Sequence, residues 1–286
     1  MPNELHLMVV KGRGVKFINS HLEAWFNLIP EPDNDGKDWY AGSATSVVLD
    51  GKEILDPFKA ELRWLYMFHD HEKRCMQIDR IQLRDSVSGQ ILPEEIYLFD
   101  RPYELISEDR TPDHIQVTIA SAPFEYNYRS SVAETRRLRC RLYRVITLYA
   151  DADYLLEELS IKGTPDGAIM GTADVIPEFA ARYYTHINTG LEQPQLSSAV
   201  HWLAAGSRWD PCPWYGFAAA VPVKLVTSGY YSFFSELAPC KSAKCLHLFM
   251  RRPGAGADAA PLVESRMSDY WEKYLSARPA AHAAKA

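Results

Sequence analysis

Apolar and polar residues alternate along much of the chain, with the period of two that is typical of a strand packed on one face. The clearest case is FKAELRWLYMF, residues 58–68, where one face carries Phe58, Ala60, Leu62, Trp64, Tyr66 and Phe68. Asp50-Gly51 and Asp151-Ala-Asp153 lie between apolar runs, so each predicts a hairpin turn. Further strands are predicted at residues 5–10, 78–83, 115–120, 138–149, 154–161, 221–227 and 246–250.

Helical periodicity is confined mostly to later segments. One apolar stripe predicts a helix over residues 260–276, and its members are Val263, Met267, Tyr270, Trp271 and Tyr274. Two more helices are predicted. The first covers residues 177–187 and begins with a proline, which the first turn of a helix tolerates. The second covers residues 195–205 and ends at Gly206. Residues 18–30 fit a helix or a strand, and Pro30 ends either one.

These patterns predict an α+β fold, a β-dominated antiparallel sandwich or barrel with a few C-terminal helices. The turn-rich residues 163–174 suggest an internal joint, because helical and alanine-rich segments follow them. Strand character returns after residue 221. We therefore predict a single β-rich domain over residues 1–286 with a helical C-terminal cover, and keep the joint as the alternative.

Composition narrows the class of partner. Apolar residues make up 47% of the 286 residues. This fraction is large enough to form a hydrophobic core that needs no disulfide or metal for stability. A net charge of −6 argues against nucleic acid as the main partner, since phosphate binding needs a positive surface. We see neither a signal peptide nor the roughly 18 apolar residues of a membrane helix, and five irregularly spaced cysteines suggest reduced thiols. The sequence thus favours a cytoplasmic protein that binds no membrane.

The segment FHDHEKRC, residues 68–75, holds the strongest candidate for a metal site. If the preceding strand continues, His69 and His71 project from one face, about 7 Å apart. Two imidazoles at that spacing can share a divalent metal, the one cofactor that the sequence indicates. The competing interpretation is a strand end that turns into a charged surface loop. The lack of a further ligand pair nearby in the sequence favours that interpretation.

Two further segments are candidate ligand-binding sites. In ETRRLRCRLYR, residues 134–144, a strand places Arg137, Arg139 and Arg141 on one face, where they can hold a carboxylate or phosphate. The alternative, which cross-strand charge pairing favours, is an outer face paired with glutamates such as Glu157. In RWDPCPWYGF, residues 208–217, rigid prolines flank Trp209, Trp214 and Tyr215. These aromatics can stack on sugar rings, or can simply plug the end of the core.

Two functional hypotheses remain, because the chain carries no dinucleotide, Walker, nucleophile-elbow or zincin motif. The first is a protein that binds a small or sugar-like ligand, with metal-assisted catalysis as an extension. The second is a non-catalytic interaction protein that assembles, as a homo-oligomer for example, through sheet edges and aromatic loops. Aromatic content and the histidine-bearing face favour the first hypothesis.

Overall fold

The protein was studied as a computed structural model of the whole chain. The structure describes residues 5–32, 38–39, 41–42, 44–53, 77–85, 91–97, 101–131, 134–163, 168–176, 186–188, 199–206, 214–228, 232–237, 242–250 and 260–276.

The first part of the chain forms a small antiparallel sheet with the strand order β1-β2-β3-β6-β7, beside a two-stranded ribbon of β4 and β5. These strands are β1 (His6–Val10), β2 (Gly14–Ile18), β3 (Leu22–Asn27), β4 (Glu31–Pro32), β5 (Asp38–Trp39), β6 (Ala44–Leu49) and β7 (Lys52–Glu53). The ambiguous residues 18–30 contain a strand, β3, rather than a helix. Apolar side chains alternate along β3 because one face of the small sheet is buried.

The predicted hairpin at Asp50-Gly51 is confirmed. Leu49 at the end of β6 pairs with Lys52 at the start of β7, so two residues make the turn. Both have positive φ, 45° at Asp50 and 78° at Gly51, as a type I′ turn requires. Aspartate and glycine adopt that conformation at low cost, so this dipeptide fixes where β6 reverses.

The remaining strands form a large antiparallel sheet of 13 strands with the central order β10-β11-β13-β14-β20-β18-β19-β15-β8-β9. β12 pairs with β13, β16 with β17, and β17 with β18. The strands are β8 (Gln77–Asp85), β9 (Ile91–Tyr97), β10 (Tyr103–Arg110), β11 (His114–Ser121), β12 (Phe124–Ser131), β13 (Glu134–Tyr149), β14 (Tyr154–Lys162), β15 (Ala168–Ile176), β16 (His186–Asn188), β17 (Ala199–Gly206), β18 (Trp214–Ser228), β19 (Ser232–Leu237) and β20 (Ser242–Met250).

The predicted α+β fold, dominated by antiparallel sheet, is confirmed. Every predicted strand outside residues 58–68 coincides with a strand of the structure, and Asp151-Ala-Asp153 lies in the turn between β13 and β14. The described strand path runs from β10 to β9 without closing, which favours the sandwich over the barrel. β15, which begins within the predicted joint at residues 163–174, belongs to the same hydrogen-bonded sheet as β14.

The core lies between the small sheet and one face of the large sheet, here called the inner face. β2, β3 and β6 contribute Val15, Phe17, Leu22, Ala24, Phe26, Val47 and Leu49, and β11 and β13 contribute Ile115, Val117, Ile119, Leu142, Ile146 and Leu148. All of these side chains are buried. A fully buried apolar side chain of this size contributes about 1.5–3 kcal/mol, so this contact supplies much of the stability of the fold.

A buried asparagine connects the two sheets. The Asn19 side-chain amide donates hydrogen bonds of 2.8 Å to the carbonyl oxygens of Tyr149 and Ala152, in the turn between β13 and β14. Its Oδ1 accepts hydrogen bonds from the N–H groups of His21 and Leu22. One side chain therefore both shapes the turn before β3 and holds it to the large sheet.

The predicted C-terminal helix is confirmed: α1 (Ala260–Tyr270) continues into a π-helical turn, Trp271–Leu275. It covers the other face of the large sheet, here called the outer face. Met267 is buried, and its Sδ would lie 2.3 Å from a Cβ built on Gly216, so a larger residue at this position of β18 would force the methionine side chain to shift. Within the described residues, no helix is long and apolar enough to cross a membrane.

The prediction of a helix over residues 195–205 was wrong. Residues 199–206 form β17, which pairs with β18 in a register that sets Trp202 opposite Ala218. β17 also contacts α1, so tertiary contacts override the helical preference of the alanines and leucines. The end of the helix predicted over residues 177–187 also lies in a strand, β16.

Several predicted features lie outside the described residues. These are the strand at residues 58–68, the metal candidates His69 and His71, the aromatic Trp209, and most of the helix over residues 177–187. The metal site and the role of Trp209 stay predictions.

Replacing Asn19 by alanine tests the connection between the sheets. The change leaves two carbonyl oxygens and two N–H groups without their partner, so we expect the free energy of unfolding to fall by about 2–4 kcal/mol. Urea denaturation measures it. The neighbouring exposed Ser20 supplies the control, since Ser20→Ala should change stability by less than about 0.5 kcal/mol. Equal effects of the two substitutions would contradict the assigned role.

Candidate functional site

β13 presents a different surface on each face of the large sheet. Its even-numbered residues from Cys140 to Leu148 are buried, whereas Arg139 is exposed and Arg141, Tyr143 and Val145 are half-buried. Successive side chains of a strand point to opposite faces, so the first set lies on the inner face and the second on the outer face. Candidate sites on the two faces therefore have different access to solvent.

The inner face holds a buried triad made of Arg144, Glu157 and His247, from the adjacent strands β13, β14 and β20. The Nε of Arg144 donates a hydrogen bond to Oε1 of Glu157, and Nε2 of His247 lies 3.2 Å from Oε2. Arg144 also donates from Nη1 to the carbonyl oxygen of Gly42, just before β6 of the small sheet. The triad thus links three strands of the large sheet to the small one.

Electrostatics keep Glu157 ionised. Burial by itself raises the pKa of this carboxyl, but the charge of Arg144 and the hydrogen bond and charge of His247 outweigh it and lower the pKa to about 2. The three side chains are only 4%, 7% and 6% exposed, in the order Arg144, Glu157, His247. A group so enclosed by protein offers a ligand from solvent little access.

The prediction that Glu157 pairs with the arginines on the outer face was wrong. Glu157 pairs in register with Ile146, so it points to the inner face and bonds Arg144. The next residue, Glu158, is the one on the outer face, where Lys244 lies 3.4 Å away. A shift of one residue moves a side chain to the other face, and the sequence does not fix the register of two distant strands.

The outer face holds an accessible group of polar and aromatic side chains, here called the Tyr143 patch: Glu104, Arg139, Arg141, Tyr143 and Lys162. Lys162 Nζ lies 4.2 Å from the centroid of the Tyr143 ring, and the Arg141 guanidinium carbon lies 5.6 Å from it. Arg141 donates from Nε to the Ser121 carbonyl at 2.9 Å and from Nη2 to Glu104. The ring of one tyrosine thus contacts two cations on the outer face of the sheet.

The two segments predicted as ligand-binding sites lie apart in the sheet. Arg139 and Arg141 belong to the Tyr143 patch, and Arg137 precedes them at alternate positions of β13, opposite Asn127. Trp214 and Tyr215 lie in β18, paired with Met250 and Phe249 of β20. Three steps between neighbouring strands, about 14 Å, separate β18 from β13, so the aromatic and arginine segments form separate groups. Tyr143 and Lys162 were not predicted.

A cluster of tyrosines fixes α1 on the outer face. Tyr154 donates a hydrogen bond of 2.5 Å to the hydroxyl of Tyr274, and the rings of Tyr149 and Tyr270 lie within 6.3 Å of the Tyr154 ring. Arg266 and Asp153 form an ion pair of 2.5 Å beside them. Burial, followed by the hydrogen bond that Tyr154 donates to Tyr274, raises the pKa of Tyr154, so its hydroxyl stays protonated. The hydroxyls and rings of these tyrosines mainly contact one another.

A metal centre requires several ligands close together. In the part of the chain that the structure describes, no group of three or more histidine, cysteine, aspartate or glutamate side chains is arranged to hold a metal ion. The Tyr143 patch is therefore the candidate functional site: it is accessible, it carries both charge signs, and it includes an aromatic ring.

Comparison with known proteins adds information on the fold. No protein-family model matches the chain, and no curated protein sequence matches it. An alpha-mannosidase from Enterococcus faecalis V583 has a similar structure, with a TM-score of 0.52 and 8% identity over 95% of this chain and 32% of that chain. At that identity the likeness shows the fold alone.

Two more solved structures are similar at a lower level. A protein in the glycosyl hydrolase family 38 from Enterococcus faecalis has a TM-score of 0.47 and 9% identity, over 95% of this chain and 33% of that chain. An alpha-N-acetylgalactosaminidase from Bifidobacterium bifidum has a TM-score of 0.47 and 10% identity, over 91% and 39%. The chain thus spans about a third of the length of these structures.

The pKa of Glu157 predicts how stability depends on pH. Its folded value of about 2 lies below the usual 4.5, so ionised Glu157 stabilises the fold fully above pH 4.5 and less as the pH falls towards 2. The difference corresponds to about 3 kcal/mol. We expect Glu157→Gln to lower the free energy of unfolding by about that amount at pH 7, and the deficit to shrink towards zero near pH 2, in urea titrations.

The control for this experiment is the adjacent residue. Glu158 is 56% exposed and its ion pair with Lys244 is open to solvent, so Glu158→Gln should cost at most about 1 kcal/mol. A deficit for Glu157→Gln that is the same at pH 7 and pH 3 would rule out the assigned charge interactions.

Proposed function

We propose that this protein binds a carbohydrate at the Tyr143 patch. The observation that carries the proposal is the contact of Tyr143 with both Arg141 and Lys162 on the outer face of the large sheet. Sugars are recognised by aromatic rings that contact their C–H groups, together with charged and polar side chains that bond their hydroxyls. The patch supplies both kinds of contact.

The polar groups of the patch suit hydroxyl recognition. The Glu104 side chain is 62% exposed, so its carboxylate remains accessible to sugar hydroxyls although it already accepts a hydrogen bond from Arg141. Lys162 is exposed and can donate to a hydroxyl. Strands β10, β13 and β14 hold these groups, and side chains on a sheet lose less freedom on binding than side chains on loops.

The fold supports the same class of ligand by analogy. A structural match with a TM-score above 0.5 is named an alpha-mannosidase. Because this chain spans only 32% of that protein, and because fold alone does not carry function, we propose binding and leave catalysis out. The divalent metal at His69 and His71, and ligand contacts from Arg137, Trp209, Trp214 and Tyr215, are separate proposals that rest on the sequence.

Self-association is a second candidate function. β1 pairs with β2, and in the described part of the chain no strand pairs with its other edge. Met8 and Val9 in β1 are 52% and 37% exposed. An edge strand with exposed apolar side chains is able to pair with another strand, here the β1 of a second copy.

Removing the ring of Tyr143 tests carbohydrate binding. We expect the wild-type protein to bind members of a glycan array, and Tyr143→Ala to bind the strongest of these at least about tenfold more weakly in calorimetric titration, a loss of about 1.4 kcal/mol. Val145→Ala, two residues further along the same face, should leave affinity unchanged. Undiminished binding by Tyr143→Ala would place the site elsewhere, and no binding to any glycan would refute the function.

A single lysine on β1 tests self-association. If β1 pairs with a second copy, light scattering at high protein concentration should give twice the 32.5 kDa of one chain, and Met8→Lys should restore the monomer. Leu262→Lys, at an exposed position of α1, is the matched control and should still dimerise. A wild-type protein that stays at 32.5 kDa at every concentration would exclude this function.

A further inference from the structure

Two positively charged residues of the Tyr143 patch lie directly opposite each other on the neighbouring strands β13 and β14. In the antiparallel register of β13 and β14, Arg141 is the partner of Lys162, so both side chains point to the outer face. Like charges at opposed positions of a sheet destabilise it, by several tenths of a kcal/mol. Such an arrangement is favourable once an anion lies between the two cations.

The carboxylates around this pair do not neutralise it. Arg141 bonds Glu104, and Arg139 lies opposite Glu125 in the register of β12 and β13. Lys162 contacts the Tyr143 ring and forms no ion pair with a described residue. Among the residues whose side chains the structure describes, three cations, Arg139, Arg141 and Lys162, thus lie near two carboxylates, Glu104 and Glu125. This local excess of one positive charge contrasts with the net charge of −6 of the chain.

The donors needed for an anion remain available. A guanidinium has five N–H donors, and Arg141 uses Nε for the Ser121 carbonyl and Nη2 for Glu104. The Nη1 donors of Arg141 and the three donors of the Lys162 ammonium can bond an anion from two sides. A sugar ring attached to that anion would lie beside the Tyr143 ring.

The same face provides an internal comparison. Lys244 of β20 lies opposite Glu158 of β14, 3.4 Å from its carboxylate, so opposed positions here carry opposite charges. That lysine is already neutralised. Lys162 differs because its cross-strand partner is a cation.

We infer that the Tyr143 patch is selective for acidic sugars, those that carry a carboxylate or a sulfate group, which Arg141 and Lys162 bind together. The inference rests on the proposed carbohydrate binding and names the chemical class of the ligand. Carboxylate and sulfate share the charge and the acceptor oxygens that the two cations recognise.

The test compares three oligosaccharides of equal length: a neutral galactan fragment, an oligogalacturonide that carries carboxylates, and a sulfated galactan fragment. In calorimetric titrations at low salt, we expect at least one acidic sugar to bind at least about tenfold more tightly than the neutral one. The difference in affinity between the acidic and the neutral sugar should decrease at high salt, because ions screen exposed charges. Whichever acidic sugar binds more tightly identifies the source of the anion.

Matched variants assign the preference to the patch. Lys162→Gln should reduce the acidic preference to about threefold or less, while Lys162→Arg, which keeps the charge, should retain it. Lys244→Gln should also retain it, since that lysine is paired with Glu158. Thermal unfolding of all three variants checks that a lost preference does not reflect a lost fold.

The outcomes separate the two proposals. Equal affinity for the neutral and acidic sugars would overturn the inference and leave carbohydrate binding standing. Equal loss of preference in Lys162→Gln and Lys244→Gln would also overturn it, since the attraction would then come from general charge. Absence of binding to all three sugars and to a glycan array would refute carbohydrate binding itself. Tight binding of free sulfate or acetate without any sugar binding would refute both.

Discussion

The position of the small sheet depends on one constraint: charges buried between the sheets must satisfy one another. Arg144 and Glu157 neutralise each other on the inner face of the large sheet, and Arg144 also donates to the Gly42 carbonyl of the small-sheet segment. Apolar contact between Phe17, Leu142 and their neighbours is not directional and tolerates sliding. The guanidinium and the Asn19 amide bond specific carbonyl oxygens, so together they fix where the small sheet lies.

The strand β13 then determines what each face can do. Because its side chains alternate, Arg144 joins the buried triad while Arg141 and Tyr143, on either side of an inward residue, point out. β14 repeats the division, with Glu157 inside and Glu158 and Lys162 outside. The pairing of β13 with β14 that positions the inner charges also sets the spacing of the outer side chains, so stability and the proposed binding depend on the same register.

Local patterns predicted much of this fold. Asp50-Gly51 located the first hairpin, and the stripe from Val263 to Tyr274 located the C-terminal helix, because both depend on residues close in sequence. β17 was mistaken for a helix, since its pairing with β18 and cover by α1 involve distant residues. The triad was missed for a related reason: Glu157 is 13 residues from Arg144 and 90 from His247. The available signal was an arginine at an inward position, between Leu142 and Ile146.

The difference between the two faces of the large sheet also explains why we place the proposed ligand on the outer face. A charged group between the sheets would add a further desolvated charge beside the Arg144–Glu157 pair, at a cost of several kcal/mol unless a new partner came with it. The triad provides no such partner, because the contacts of Glu157 and Arg144 are already made within the protein. On the outer face, the exposed ammonium group of Lys162 is hydrated, so the proposed anion would replace water with an opposite charge. The same pair of strands therefore buries a neutralised arginine on one side and presents, on the other, a lysine that has no ion pair among the described residues.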